Sequence, residues 1–192
     1  GGEKEKKTGV LFVCLGNICR SPTAEAMFTA VVQTAGRAGE FDIDSCGTGG
    51  GNPSWYEGGV SGFSYHEGES ADPRMAAAAK RRGVILTSRS RPLRPDDFTR
   101  FEYVVGMEEK NRRAMLEALE HWERTGRNAK CNVDLEDAVS RIRLMPEFYK
   151  DEKYSTLERV PDPVSRAGPP ACRVETDTRF CVVTSTTGDR TA

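Results

Sequence analysis

Apolar residues fill positions 10–13 without interruption and give way at once to CLGNICRSP. An unbroken run of that length suits a strand covered on both faces, as in a parallel sheet. Ser21 follows as the expected N-cap and Pro22 as the first helical residue. Ala24, Met27, Phe28, Val31 and Val32 then keep a helical apolar stripe up to Gly36. Positions 41–45 alternate like a second strand, 101–107 read as a third and 142–145 as a fourth. Between them, Asp72-Pro73 opens a helix that Gly83 closes, 95–98 makes a short helical turn, and 108–124 forms a helix with Met115, Leu116 and Leu119 on one face. Positions 47–68, rich in Gly, Ser, Asn and Tyr, are too long for a simple connection and read as an elaborated surface loop. Strands alternating with helices predict an α/β fold with right-handed crossovers. From Val164 the helical period is gone, Pro169 and Pro170 adjoin, and residues 164–192 are expected to form a disordered tail.

Composition narrows this picture. The 192 residues allow one domain with a full core. Lysine plus arginine number 28 against 29 acids, a net charge of −1, which excludes an electrostatic nucleic-acid footprint. No apolar run is long enough to span a membrane. The six cysteines are scattered without a CxxC, and with only two histidines beside them neither a disulfide framework nor a zinc site is expected. This predicts a reducing compartment, the cytoplasm first and a plastid second. Residues 1–8 read as a charged solvated extension, and the missing initiator Met suggests that an upstream piece, such as a transit peptide, has been removed.

The chemistry concentrates where the first strand meets the first helix. Loop N–H groups and the helix dipole converge there into an anion site. The loop lacks the GxxxxGK[ST] lysine pattern, which disfavours a nucleoside triphosphate. Cys14 lies at the strand's end, and Arg20, six residues on, can close a ring of donors bidentately around a tetrahedral oxyanion. The same donors favour the thiolate of Cys14, the nucleophilic form. Gly16 lets the loop curl without a side chain in the cup, and the Ser21 hydroxyl is placed to donate to the sulfur. On their own, most strand cysteines are inert, and a bare C-x5-R says little; the full CLGNICRSP between strand and helix says much more.

VLFVCLGNICRSPTAEAMF resembles the signature of the low-molecular-weight protein tyrosine phosphatase family, and DSCGTGGG, YHEGESADPRM, FEYVVGMEEKNRRAM and RVPDP resemble further family segments in order. The likeness covers residues 10–163, and the long 47–68 loop is most similar to plant and algal members. It implies a three-layer α/β sandwich with a four-stranded parallel sheet flanked by helices, a phosphate-binding loop after the first strand, and a phosphatase domain over 9–163. It also implies hydrolysis of protein phosphotyrosine through a cysteinyl-phosphate, without metal or cofactor, with inorganic phosphate or vanadate as inhibitors. Position by position, Cys14 matches the nucleophile and Arg20 the phosphate-binding arginine, in a loop of Leu15, Gly16, Asn17, Ile18 and Cys19. Asn17 and Ser45 match the polar pair that fixes the loop, and Ser21 the hydroxyl beside the nucleophile. Cys19 matches a cysteine that can form a disulfide with the nucleophile. Asp162 matches the general acid, and Tyr65 falls where an aromatic pocket wall is placed. His66 has no such match and reads as a solvated loop histidine.

The likeness stops after Pro163, where Val164-Ser165 replaces two aromatics and no covering helix follows. Rival readings are a phosphoarginine phosphatase, in which Ile18 would be threonine, and an arsenate reductase, which needs further cysteines to relay a disulfide where Cys46 and Cys131 do not sit at the matching positions. A phosphoanion-binding protein with little turnover is the alternative outside enzymes.

Overall fold

The computed structural model describes residues 6–150 and 158–160. Strand β1 (Thr8–Cys14) leads into helix α1 (Arg20–Thr34), and β2 (Phe41–Gly47) follows a short 3-10 turn. The remaining elements are α2 (Pro73–Lys80), α3 (Asp97–Arg100), β3 (Tyr103–Gly106), α4 (Glu109–Arg124), α5 (Arg127–Lys130), α6 (Leu135–Arg141) and β4 (Ile142–Leu144). The four strands form one sheet in the order β2-β1-β3-β4, and each pairing is parallel. This is the expected α/β architecture with helices on both faces.

Alternation along β1 builds the two cores. Val10, Phe12 and Cys14 face α1, where Phe28 and Val32 meet them together with Val105 and Met107. Leu11 and Val13 point the other way, into a cluster with Met115, Leu119 and Trp122 of α4 and Ala138 of α6. Burial on both faces is why this strand reads as a continuous apolar run. Phe28 makes edge-on contacts with Phe12 at 5.9 Å and Phe41 at 5.4 Å, fixing α1 over the sheet.

The strand order reverses between β1 and β3, so the crevice at their carboxyl ends is the topological switch point where open α/β sheets bind ligands. Cys14 ends β1 at that crevice, and Met107, just past β3, donates its N–H to Val13 O beside it.

Several boundaries differ from the sequence expectation. The first helix begins at Arg20, and Ser21 is not its N-cap; its hydroxyl turns inward to the loop instead. The second helix starts as expected, with the Asp72 carboxylate accepting from Arg74 N–H and Pro73 in the first turn. It ends at Lys80, and Gly83 at φ +75 closes the turn that follows. Helices α5 and α6 were not foreseen. The 47–68 segment is not merely a surface loop: Trp55 is buried and packs edge-on against Trp122 at 6.0 Å. The expected disordered tail, 164–192, lies outside the described residues.

Candidate active site

The segment from Cys14 to Arg20 is curled around by its carbonyls. Thr48 N–H donates to Cys14 O, Gly50 N–H to Leu15 O, and Asp72 N–H to Ile18 O, at 3.0, 2.9 and 2.7 Å. Ser90 Oγ donates to Gly16 O at 2.9 Å, and Thr23 Oγ1 to Cys19 O at 2.7 Å. Peptide bonds here are trans, so each carbonyl points opposite the N–H of the residue that follows it. Tying the carbonyls to the surrounding chain therefore turns the joined N–H groups away from those partners, the orientation that a loop binding an oxyanion through its backbone needs.

Asn17 holds the curl from inside. It sits at φ +52, in the left-handed region that asparagine tolerates better than most residues, and is almost wholly buried. Its Nδ2 donates to Ser21 Oγ at 2.9 Å and to Ser45 Oγ at 2.8 Å, while its Oδ1 accepts from Arg91 N–H at 2.9 Å. Ser45 Oγ donates its own O–H to Glu25 Oε2 at 2.5 Å. Burial pushes the Glu25 carboxyl above its ordinary value, with hydrogen bonds from Ser45 and Ser88 pulling partly the other way.

Cys14 Sγ lies 3.1 Å from Ser21 Oγ. The serine has one proton and two acceptors in reach, the sulfur and Cys46 O at 3.2 Å. When the sulfur is a thiol its S–H can donate to Ser21, whose O–H then serves Cys46 O. A thiolate has no proton, so Ser21 must donate to it. Cys46 is fully buried, and burial, with lesser help from Asp97, pushes its thiol well above the ordinary value, so it is not a competing nucleophile.

Arg20 is buried, and one terminal nitrogen donates to Glu108 Oε1 at 2.7 Å and to Val160 O at 3.2 Å. Among the described residues, Nε and Nη2 of its planar fork make no hydrogen bond, and these two donors suit an oxyanion. Arg91 is clamped between Asp97 and Asp44 at 2.9 and 3.0 Å; burial opposes its charge, but these carboxylates outweigh that and raise it further. Its role is to hold in place the backbone N–H that binds Asn17.

Of the residues expected from sequence, Cys14, Leu15, Gly16, Asn17, Ile18, Cys19, Arg20, Ser21 and Ser45 are brought together. Cys14 and Cys19 are both buried and not disulfide-bonded to each other. Leu15 is 46% exposed at the rim. Tyr65 is mostly exposed, donates its N–H to Gly49 O at 3.2 Å and stacks edge-on with Phe63 at 5.0 Å. Asp162 lies outside the described residues. Sequence reasoning missed Glu108, Arg91 and His66. The His66 ring presses on the loop, since a methyl on Gly16 would stand 3.0 Å from His66 Cδ2, and its Nδ1 is 2.9 Å from Glu69 Oε2. Only the Tyr-His pair beside the glycines hinted at this.

The profile of the family described as low molecular weight phosphotyrosine protein phosphatase matches residues 9–58 and 56–169. A Schizosaccharomyces pombe protein of that description is 42% identical over 109 residues, 56% of this chain and 61% of that protein. A protein tyrosine phosphatase structure from Entamoeba histolytica matches with a TM-score of 0.61 at 33% identity, covering 82% of this chain and 80% of that one. A Drosophila arginine phosphatase structure matches at 0.59 and 25% identity, covering 83% and 82%. The chain spans about three-fifths of the length of the first curated relatives it matches, at 61%, 59% and 59%.

Proposed function

The chain belongs to the low molecular weight phosphotyrosine protein phosphatase family, and from that premise we propose that it hydrolyses phosphotyrosine in proteins through a cysteinyl-phosphate. The observation that carries this reading is the 3.1 Å approach of Ser21 Oγ to Cys14 Sγ in the loop between β1 and α1. The phosphoryl group sits in that loop, its oxygens held by the loop N–H donors and the Arg20 fork. Cys14 attacks phosphorus in line, forming the P–S bond as the P–O bond to the phenol breaks. Asp162 gives its proton to the departing phenolate. Its carboxylate then takes a proton from water, which attacks phosphorus and breaks the P–S bond. Phosphate leaves, and Ser21 O–H stabilises the returning thiolate.

Val160 supports a place for Asp162 in this scheme. Its N–H donates to Met107 O at 2.9 Å and its carbonyl accepts from Arg20, so the chain is anchored at the loop two residues before the aspartate. Two residues of chain reach at most about 7 Å, and this short tether favours Asp162 for the acid's part. Against phosphoarginine as substrate, Ile18 offers no hydroxyl to orient water at a P–N bond.

The test is orthophosphate release from a phosphotyrosine peptide, with vanadate as inhibitor and Cys14→Ser as control. Release that vanadate blocks and the serine variant lacks is expected. Turnover by Cys14→Ser at the parent rate, or release from phosphoarginine but not phosphotyrosine, would overturn the reading.

A further inference from the structure

The 47–68 segment is pinned at both ends to the catalytic loop, yet it holds two large rings out of the core. Thr48 N–H and Gly50 N–H bind Cys14 O and Leu15 O at one end. At the other, Gly68 N–H donates to Ser90 O at 2.7 Å, and Ser90 Oγ in turn donates to Gly16 O. Inside the segment, Asn52 is buried, and its Nδ2 donates to Ser61 O and to Phe63 O, both at 2.8 Å. Those two bonds close residues 52–63 into a loop and fix the backbone at Phe63. Exposure then alternates. Ser64 is buried, while Phe63 and Tyr65 are 46% and 59% exposed, with their rings edge-on at 5.0 Å. A lone exposed apolar residue is ordinary, but two rings in contact on a fixed backbone present one continuous apolar face. That face adjoins the site. A methyl on Gly50 would stand 3.2 Å from Tyr65 Cβ, and Gly50 N–H is bonded to Leu15 O at the rim of the loop.

We propose that Phe63 is a specificity-determining residue of this site: with Tyr65 it receives an apolar side chain next to the phosphotyrosine of a peptide substrate. This role rests on the phosphotyrosine reading above and narrows its substrate class. The occupant follows from continuity with the loop. A phosphotyrosine whose phosphoryl group lies beside Cys14 carries its peptide across the rim at Leu15 and Tyr65. The Cα of each flanking residue is only about 3.8 Å from its own. What the rim offers there is aromatic surface, and the nearby carboxylates are already engaged, Glu69 with His66 at 2.9 Å and Glu67 with Arg94 at 3.6 Å. A leucine beside the phosphotyrosine packs on the two rings and takes apolar surface out of water. A glycine leaves that surface wet. Because Asn52 already holds the Phe63 backbone, little ordering of the segment opposes the contact.

The test is orthophosphate release from two phosphotyrosine peptides that differ only beside the phosphotyrosine, with leucine on both sides in one and glycine on both sides in the other. For the parent chain kcat/KM should favour the leucine peptide by about tenfold, the lower end of what a small apolar contact gives, and the difference should lie in KM. Phe63→Ala should erase that preference, and Phe63→Leu should restore part of it. Val60→Ser, at a fully exposed position of the same segment, should keep the parent ratio. A ratio taken within one variant does not depend on how much of that variant is folded. Equal kcat/KM for the two peptides in the parent, or a preference that survives Phe63→Ala, overturns the role of Phe63 and leaves the phosphatase reading standing. No release from either peptide overturns the phosphatase reading itself, and the role of Phe63 with it.

Discussion

Asn17 Nδ2 donates to Ser45 Oγ at 2.8 Å across 28 residues of sequence, and that bond ties the loop after β1 to the strand beside it. Asn17→Ala would remove it, leave Ser45, Ser21 and Arg91 N–H short of a partner, and put alanine at φ +52. Unpaired buried groups cost about 1–3 kcal/mol, and a left-handed alanine adds about 1–2 kcal/mol. We expect a lower urea midpoint and a higher KM for aryl phosphates. Asn17→Gly should recover the backbone term and not the activity. An alanine variant with parent stability and KM would show that Asn17 does not set the loop.

Arg20→Lys should lower kcat/KM for p-nitrophenyl phosphate by about a hundredfold or more, the scale for losing a preorganised donor. A lysine keeps the charge, but not the planar fork that can satisfy Glu108 with one nitrogen and an oxyanion with the others. Glu108→Gln should do partial damage, because the amide oxygen still accepts from Arg20 without pairing its charge. Parent-like rates in the lysine variant would take the fork out of the mechanism.

Asp162→Asn should slow p-nitrophenyl phosphate hydrolysis less than phenyl phosphate hydrolysis, because nitrophenolate leaves without needing a proton. For the poorer leaving group the loss should reach about 10²–10⁴, the usual worth of a positioned acid. Rates for a series of aryl phosphates would decide it. An equal, small loss across the series would assign the acid to another group.

Burial holds the Glu25 carboxyl above its ordinary value, and Ser45, the partner of Asn17, partly offsets this. A carboxyl with a raised folded-state value binds its proton more tightly folded than unfolded. Its contribution to stability is therefore full below 4.5, the ordinary value, and is lost as pH rises through the raised value. Glu25→Gln keeps an acceptor for Ser45 and has no proton to lose. Urea unfolding from about pH 4 to about pH 8 should show the parent losing stability relative to Glu25→Gln across that window. Parallel curves would mean that Glu25 stays charged in the fold.

Much of this site was legible because its residues are consecutive. The run from Cys14 to Ser21 is a single loop, and strand-then-helix patterning on either side puts it at a helix N-terminus from the sequence alone. The unforeseen parts depend on residues distant in sequence. Glu108 reaches Arg20 because β3 lies next to β1, and Arg91 reaches Asn17 because the 84–94 segment passes beside β2. Neither has a local signal. Ser21 was misread as an N-cap for the opposite reason: its local pattern is a good cap, and the tertiary pull of Cys14 and Cys46 O overrides it. In 47–68, glycine and serine content suggested solvent exposure and hid the one tryptophan that anchors the segment.

Trp55 is that anchor, and it offers the most direct check on how the loop's rim is held. Its ring is nearly buried, edge-on to Trp122 at 6.0 Å and to Tyr56 at 5.5 Å, while its Cβ lies under Gly49 at φ +84. Trp55→Ala removes a large core side chain, worth about 3–5 kcal/mol. Against a typical total of about 5–15 kcal/mol, the variant should remain folded but melt well below the parent. Trp55→Phe should recover most of the loss by keeping an edge on Trp122. Gly49→Ala should be as harmful as the truncation, since it adds a methyl 2.3 Å from Trp55 Cβ at a positive φ. Because Tyr65 N–H is bonded to Gly49 O, its hydrogen exchange should speed up in Trp55→Ala by more than global destabilisation explains. A truncation costing under about 1 kcal/mol, well short of the core range, or Tyr65 exchange that merely tracks global unfolding, would show that the rim does not rest on Trp55.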